Sequence, residues 1–146
     1  MYESVLDLHS YLAYGVLVFL LLATLNSFIG LSSQRPFIPR DRKIAMIALI
    51  FTHVQFVVGL LVLITNPLLD AVKAGGMGAV MKDSHLRLIF VEHPLVNLIA
   101  IILITIGWSK HKKAVEPGHK FKSIAIFYAI GLVLLLSRIP YGQWFD

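Results

Sequence analysis

Four runs of apolar residues, each about twenty long or longer, constrain this chain more than any other feature. They cover about residues 5–31, 44–65, 86–108 and 122–141 of 146. A helix needs about 20 predominantly apolar residues to cross about 30 Å of hydrocarbon, and each run meets or approaches that length. The composition agrees: 58% of residues are hydrophobic and only 14% charged, against about 45–50% and 25% in soluble domains. The expected fold is therefore all-α. It is one domain, residues 1–146, built as an antiparallel bundle of four transmembrane helices.

The segments between the runs set the expected topology. The net charge of +5 suggests a nucleic-acid surface until its distribution is read. Arg35, Arg40, Arg42 and Lys43 lie in one inter-helical segment; Lys110, Lys112, Lys113, Lys120 and Lys122 lie in or beside another. Only Lys73, Lys82, Arg87 and Arg138 lie elsewhere. Two basic loops alternating with poorer ones is the positive-inside pattern. Loops 32–43 and 110–121 are thus expected in the cytoplasm, with both termini and loop 66–85 outside. No nucleic-acid partner is expected. The Asn-Pro and Gly-rich stretch after residue 65 reads as a long, mobile outer loop. Glu3 and Asp7 stand where a signal peptide carries positive charge, so the first run is expected to stay as a span. The chain has no cysteine, which excludes disulfides and thiolate metal sites.

In the first run His9, Ala13, Val16, Leu20, Ala23, Ser27 and Gly30 follow steps of four and three, one helix stripe. Tyr128, Gly131, Leu135 and Arg138 share a stripe in the fourth. Both are expected to face the bundle interior, where small residues let backbones approach closely. Packing accounts for the small residues but not for His9 or Arg138.

An ionisable group at the bilayer centre costs about 2.5–3.5 kcal/mol on insertion scales, so the histidines are sorted by depth. His111 and His119 fall in the basic hairpin and His85 at the outer loop; all three read as solvated. His9, His53 and His93 fall in the middle-to-outer half of the apolar runs, with Glu92, Gln55 and Asn97 near them in sequence. By helix rise His53 and His93 differ in depth by roughly 6 Å, and His9 and His93 by a similar amount, so depth does not choose a pair. Three imidazoles suit zinc by count, copper by ligand type, or a haem clasped between helices. Phe51, Phe56, Phe90, Phe127 and Tyr128 are candidates to line an apolar slot, and Arg138 and Arg87 to meet haem propionates. Tyr141 and Trp144 read as interfacial aromatics. Pro94 lacks the N–H that bonds four residues back, so the third helix should loosen near Phe90.

The stretches THVQFVVGLLVLIT (52–65), FVEHPLVNLIAIILITIGWSK (90–110), HKFKSIAIFYAI (119–130) and SRIPY (137–141), with LHSY near the N-terminus, resemble a family of small bacterial four-helix membrane proteins described as cytochrome b-like. The His-x-Gln and Gly-Leu-x-Val-Leu-x-Thr of the second run are also similar to a helix of haem A synthase. The resemblance implies one b-type haem near the outer side, in a bacterial inner membrane. It implies His53 and His93 as axial ligands, with His9 as a third ligand or a propionate-side contact. Arg138 and Arg87 would meet the propionates, and Glu92, Gln55, Asn97 and Tyr141 would support the ligands. The function expected is electron transfer from a quinol or a redox protein, not catalysis by the chain alone. The alternatives are copper or zinc held by His9, His53 and His93, or a structural subunit of a larger complex or homo-oligomer.

Overall fold

The computed structural model describes residues 1–144, and its elements follow from where the apolar runs stop. Helix α1 runs Tyr2–Ser33, α2 Pro39–Thr65, α3 Leu69–Lys82, α4 Ser84–Lys113, α5 Pro117–Ser137, and a closing turn α6 Tyr141–Trp144. Of these, α1, α2, α4 and α5 are long and apolar enough to cross a membrane. The chain is accordingly a multi-pass helical membrane protein. The spans extend beyond the apolar runs because charged first and last turns, such as Pro39–Lys43 and Lys110–Lys113, continue the helices. Helix α5 is the exception: it stops at Ser137, four residues before the apolar run ends. Pro140 lacks the N–H a further turn needs, and Arg138 already leaves helical geometry at φ −131°.

Short connections at residues 34–38 and 114–116 make α1 antiparallel to α2 and α4 antiparallel to α5. Around the bundle the order is α1, α2, α4, α5, each packed on its neighbours. Helices α1 and α4 therefore stand diagonally opposite, as do α2 and α5. The expected stripes face inward over most of their length: Val16, Leu20, Ala23, Ser27 and Gly30 are buried on α1, Tyr128 and Gly131 on α5, whereas Arg138, expected on the second stripe, lies exposed beyond the helix end. Leu20, Ala45, Ala48, Ile104, Ile124 and Tyr128 form the core. The Tyr128 hydroxyl crosses the bundle diagonal to donate to the Ala45 carbonyl at 2.8 Å. Leu21, Ile29, Ile50, Val57, Ile64 and Val133 lie exposed on the outside, the surface a bilayer would solvate.

The basic end is tied by a polar clamp that sequence patterning does not reveal. Asp41 is 2% exposed. Its carboxylate accepts both Arg35 guanidinium nitrogens at 2.8 Å, Asn26 Nδ2 at 2.9 Å and the Ile38 N–H at 2.8 Å. One side chain thus starts α2, pins the connection and grips α1. The Arg35 guanidinium also lies over the Phe121 ring, 4.8 Å from its centre. His111 is not solvated, contrary to expectation. It is buried between Phe37 and Trp108, with Nδ1 on the Trp108 carbonyl. The expected mobile loop 66–85 instead holds α3, kinked at Gly76, where φ is 76°. Asn66 Oδ1 accepts the Leu68 N–H before it, and Asp83 Oδ1 accepts the His85 and Leu86 N–H groups after it. Val80, fully buried, anchors the helix.

Candidate functional site

The site begins with Pro94. With no N–H at that position, α-helical bonding cannot continue through it, and α4 widens into a π-helical turn at Leu88–Glu92. The His93 N–H bonds to the Leu88 carbonyl, five residues back. This is the loosening expected near Phe90. It also rearranges side chains. On an α-helix residues five apart lie about 140° apart around the axis, whereas a π turn brings them one above the other. Arg87 and Glu92 are so placed, with Arg87 Nε donating to Glu92 Oε1 at 3.0 Å.

From this turn His93 projects towards the middle of the bundle and meets His9 from the diagonally opposite helix. The ring centres are 6.1 Å apart and the planes nearly perpendicular, at 81°. Each ring is held. His93 Nδ1 bonds to the Arg138 carbonyl at 2.8 Å, which makes Nδ1 the protonated nitrogen and Nε2 the lone pair. Asn97, one turn along, donates to that Nε2 at 3.1 Å. Gln55 Nε2 donates to the His9 carbonyl at 2.8 Å and lies 3.5 Å from His9 Nε2. Gly59 gives the His9 ring its room, since a Cβ there would stand 3.0 Å from His9 Cε1.

Three buried polar atoms in this group have no hydrogen-bond partner among the described residues: His9 Nδ1, Gln55 Oε1 and Asn97 Oδ1. Such groups are uncommon in folded proteins and call for an explanation. Two cavities, of about 360 and 80 Å³, flank the imidazole pair, and His9, Gln55, His93 and Asn97 line both. The larger is also walled by Tyr11, Tyr14 and Trp144, the last stacked on Tyr14 at 4.8 Å.

The other expected site residues lie elsewhere or are already engaged. His53 does not join His93. It is exposed, and its Nδ1 lies 2.7 Å from the Leu49 carbonyl. Its Nε2 lies 3.3 Å from the Thr105 hydroxyl, twelve residues and about 18 Å of helix rise from His93. The reason is an offset along the helix axes, which sets His53 at the level of Thr105 and not of His93, a shift that run boundaries do not encode. Among the described residues no three His, Cys, Asp or Glu side chains converge so as to hold a metal ion, so the set His9, His53 and His93 is not assembled. Arg87 and Arg138 both meet Glu92, at 3.0 and 3.5 Å, and so already share a carboxylate. Tyr141 donates to the Leu136 carbonyl at 2.7 Å. The aromatic slot is also different. Phe51 packs on Phe19, Tyr128 fills the core, and Phe127 lies against Gly107; of the five aromatics expected to line it, Phe56 reaches the smaller cavity. Tyr11 and Tyr14, which do wall the site, were missed. Their exposure, 75% and 50%, made no pattern with the interior stripe.

Comparison with protein-family models, with curated proteins and with solved structures finds no match for this chain.

Proposed function

We propose that this chain is a membrane electron carrier that holds one b-type haem between His9 and His93 in the outer half of the bilayer. The observation that carries the reading is the imidazole pair itself. Two imidazoles on one metal ion, each with a metal–nitrogen bond of about 2.0–2.1 Å, have ring centres about 6 Å apart, and His9 and His93 stand at 6.1 Å. The donor set favours haem over a bare ion. Zinc sites usually take three or four protein ligands, and here two histidines converge. A porphyrin brings four nitrogens of its own and asks the protein only for the axial pair. Cavities of about 360 and 80 Å³ adjoin the pair, and its orphaned polar atoms belong to residues that line them.

Haem, when bound, would supply a one-electron couple, with His9 and His93 as the residues that would hold it. The chain's residues do the rest. The Arg138 carbonyl fixes the His93 tautomer and ring direction, as carbonyl partners of ligating histidines do. Gln55 bonds the His9 carbonyl at 2.8 Å, and ligation at His93 Nε2 would take the lone pair that Asn97 now meets, so Asn97 would have to release it. Nearby charge sets the potential. By the positive-inside rule the basic end would lie in the cytoplasm of a bacterium and the site towards the outer face of its inner membrane. An electron donor or acceptor, whether a quinol in the lipid or a redox protein, would exchange at that face.

The test is spectroscopic. Protein purified from haem-replete cells should show a Soret band and sharp α and β bands on dithionite reduction. His9→Ala and His93→Ala should each abolish or convert the low-spin spectrum, while His53→Ala keeps it. Loss in His53→Ala with retention in His9→Ala would refute the pair. A colourless protein would leave the structural-subunit reading.

A further inference from the structure

Glu92 lies beside His93 in the chain, yet its carboxylate pairs with arginines and not with either imidazole. The π turn directs it to two guanidinium groups: Arg87 Nε at 3.0 Å on Oε1, and Arg138 Nε at 3.5 Å on Oε2. Arg87 comes from the same helix, five residues back, and a second of its nitrogens donates to the Met81 carbonyl at 2.7 Å. Arg138 comes from the end of α5, where the chain has just left its helix. It is the carbonyl of this same Arg138 that accepts His93 Nδ1 at 2.8 Å. A ring of contacts therefore closes: Glu92 side chain to Arg138 side chain, Arg138 main chain to His93 side chain, His93 main chain back to Glu92.

The end of a helix is where backbone is least constrained, so the Arg138 carbonyl needs an anchor if it is to aim His93. Its guanidinium provides one, pairing with Glu92 at 3.5 Å while also donating to the Ser137 carbonyl at 2.8 Å. From this geometry we propose that Glu92 is a positioning residue for the haem-ligating His93, and that its negative charge holds the reduction potential down. The proposal rests on the haem reading above. Glu92 acts in two ways. Through Arg138 it fixes the His93 ring and keeps its Nδ1–H bonded, which makes the imidazole a stronger donor to a metal. Through space it contributes one negative charge next to the ligand, set against the two positive charges of Arg87 and Arg138, and a negative charge disfavours the reduced, more electron-rich state. Removing the carboxylate leaves Arg87 and Arg138 uncompensated beside the site.

The test is a redox titration of the purified full-length protein in detergent, read at the α band together with haem stoichiometry. Glu92→Gln should retain the haem and shift the midpoint to higher potential, and Glu92→Asp should bring it back towards wild type. Arg87→Gln, which leaves the Glu92–Arg138 contact in place, should shift the midpoint lower. The opposite signs matter, because a general loosening of the outer end would move both variants the same way. Shifts of one sign in both, or no shift in either, overturn the role of Glu92. If Glu92→Gln fails to fold, an unmoved Arg87→Gln midpoint does the same. A wild type without haem sinks the haem reading, and this inference with it; a haem-loaded wild type with unmoved variants sinks this inference alone.

Discussion

Gly107→Ala adds a single methyl group to α4 and should loosen the whole bundle. Gly107 is buried where α4 crosses α5. A Cβ there would stand 2.5 Å from Phe127 Cβ and 3.0 Å from the Ser123 carbonyl oxygen. Non-bonded carbons settle at about 3.5–4.0 Å, so the helices must part by about 1 Å or more. Neither neighbour can rotate aside: one is a Cβ fixed to its backbone and the other is backbone. Overpacking of this kind costs about 1–3 kcal/mol, and a contact without a flexible end belongs at the upper limit. Alanine's better helix propensity returns about 1 kcal/mol. The net loss is about 2 kcal/mol, a factor of roughly 30 in the unfolding equilibrium. Titration with SDS in mixed micelles, followed by circular dichroism, measures it. Gly78→Ala is the control: a Cβ there meets nothing within 4 Å, so it should be neutral or slightly stabilising. A Gly107→Ala protein as stable as wild type, or less affected than Gly78→Ala, refutes the close-approach argument. The imidazole pair lies about 21 Å along α4 from Gly107, so under the proposed haem reading the haem bands should keep their positions.

Three further expectations use other parts of the fold. Tyr128→Phe deletes the bond across the diagonal to Ala45 and should lower stability by about 0.6 kcal/mol, the average for such bonds in membranes, in the same SDS titration; a loss several times larger would mean the hydroxyl does more than bridge α5 to α2. Pro94→Ala restores an N–H, so the π turn should relax to α-helix and rotate Glu92 away from Arg138. A cysteine pair at positions 92 and 138 should then cross-link with a short reagent in the Pro94 protein and much less in Pro94→Ala; equal yields would sever Pro94 from the charge cluster. The absence of cysteine also allows a topology test: Met77→Cys (63% exposed) should react with an impermeant thiol reagent from outside, and Val115→Cys (87% exposed) only after the membrane is opened. The reverse pattern would invert the assigned orientation.

Much of the site was legible one residue at a time. Pro94 announced the break in hydrogen bonding, and the depth of His9 and His93 marked them as expensive to place in lipid. The inward stripes on α1 and α5 followed from helix periodicity. What periodicity does not carry is the offset of one helix along another. His53 and His93 seemed about one turn apart in depth, yet the structure sets His53 beside Thr105 and brings His9 to His93. Burial of His111 was hidden for a related reason: it lies in a run of lysines, and only the packing of Phe37 and Trp108 around it removes it from water.

The sequence by itself determined that four helices cross a membrane, which loops share a side, and where α4 must loosen. Those properties depend on local chemistry: apolar length, the placement of Lys and Arg, and the missing N–H of a proline. Tertiary structure alone decided which polar groups meet. Side chains far apart in sequence converge only when helices choose neighbours and slide into register, and that choice is made by close fits such as Gly59 under His9 and Gly107 against Phe127. Glu92, whose role no local pattern gave away, takes its meaning from Arg138, forty-six residues later in the chain and 3.5 Å away in space.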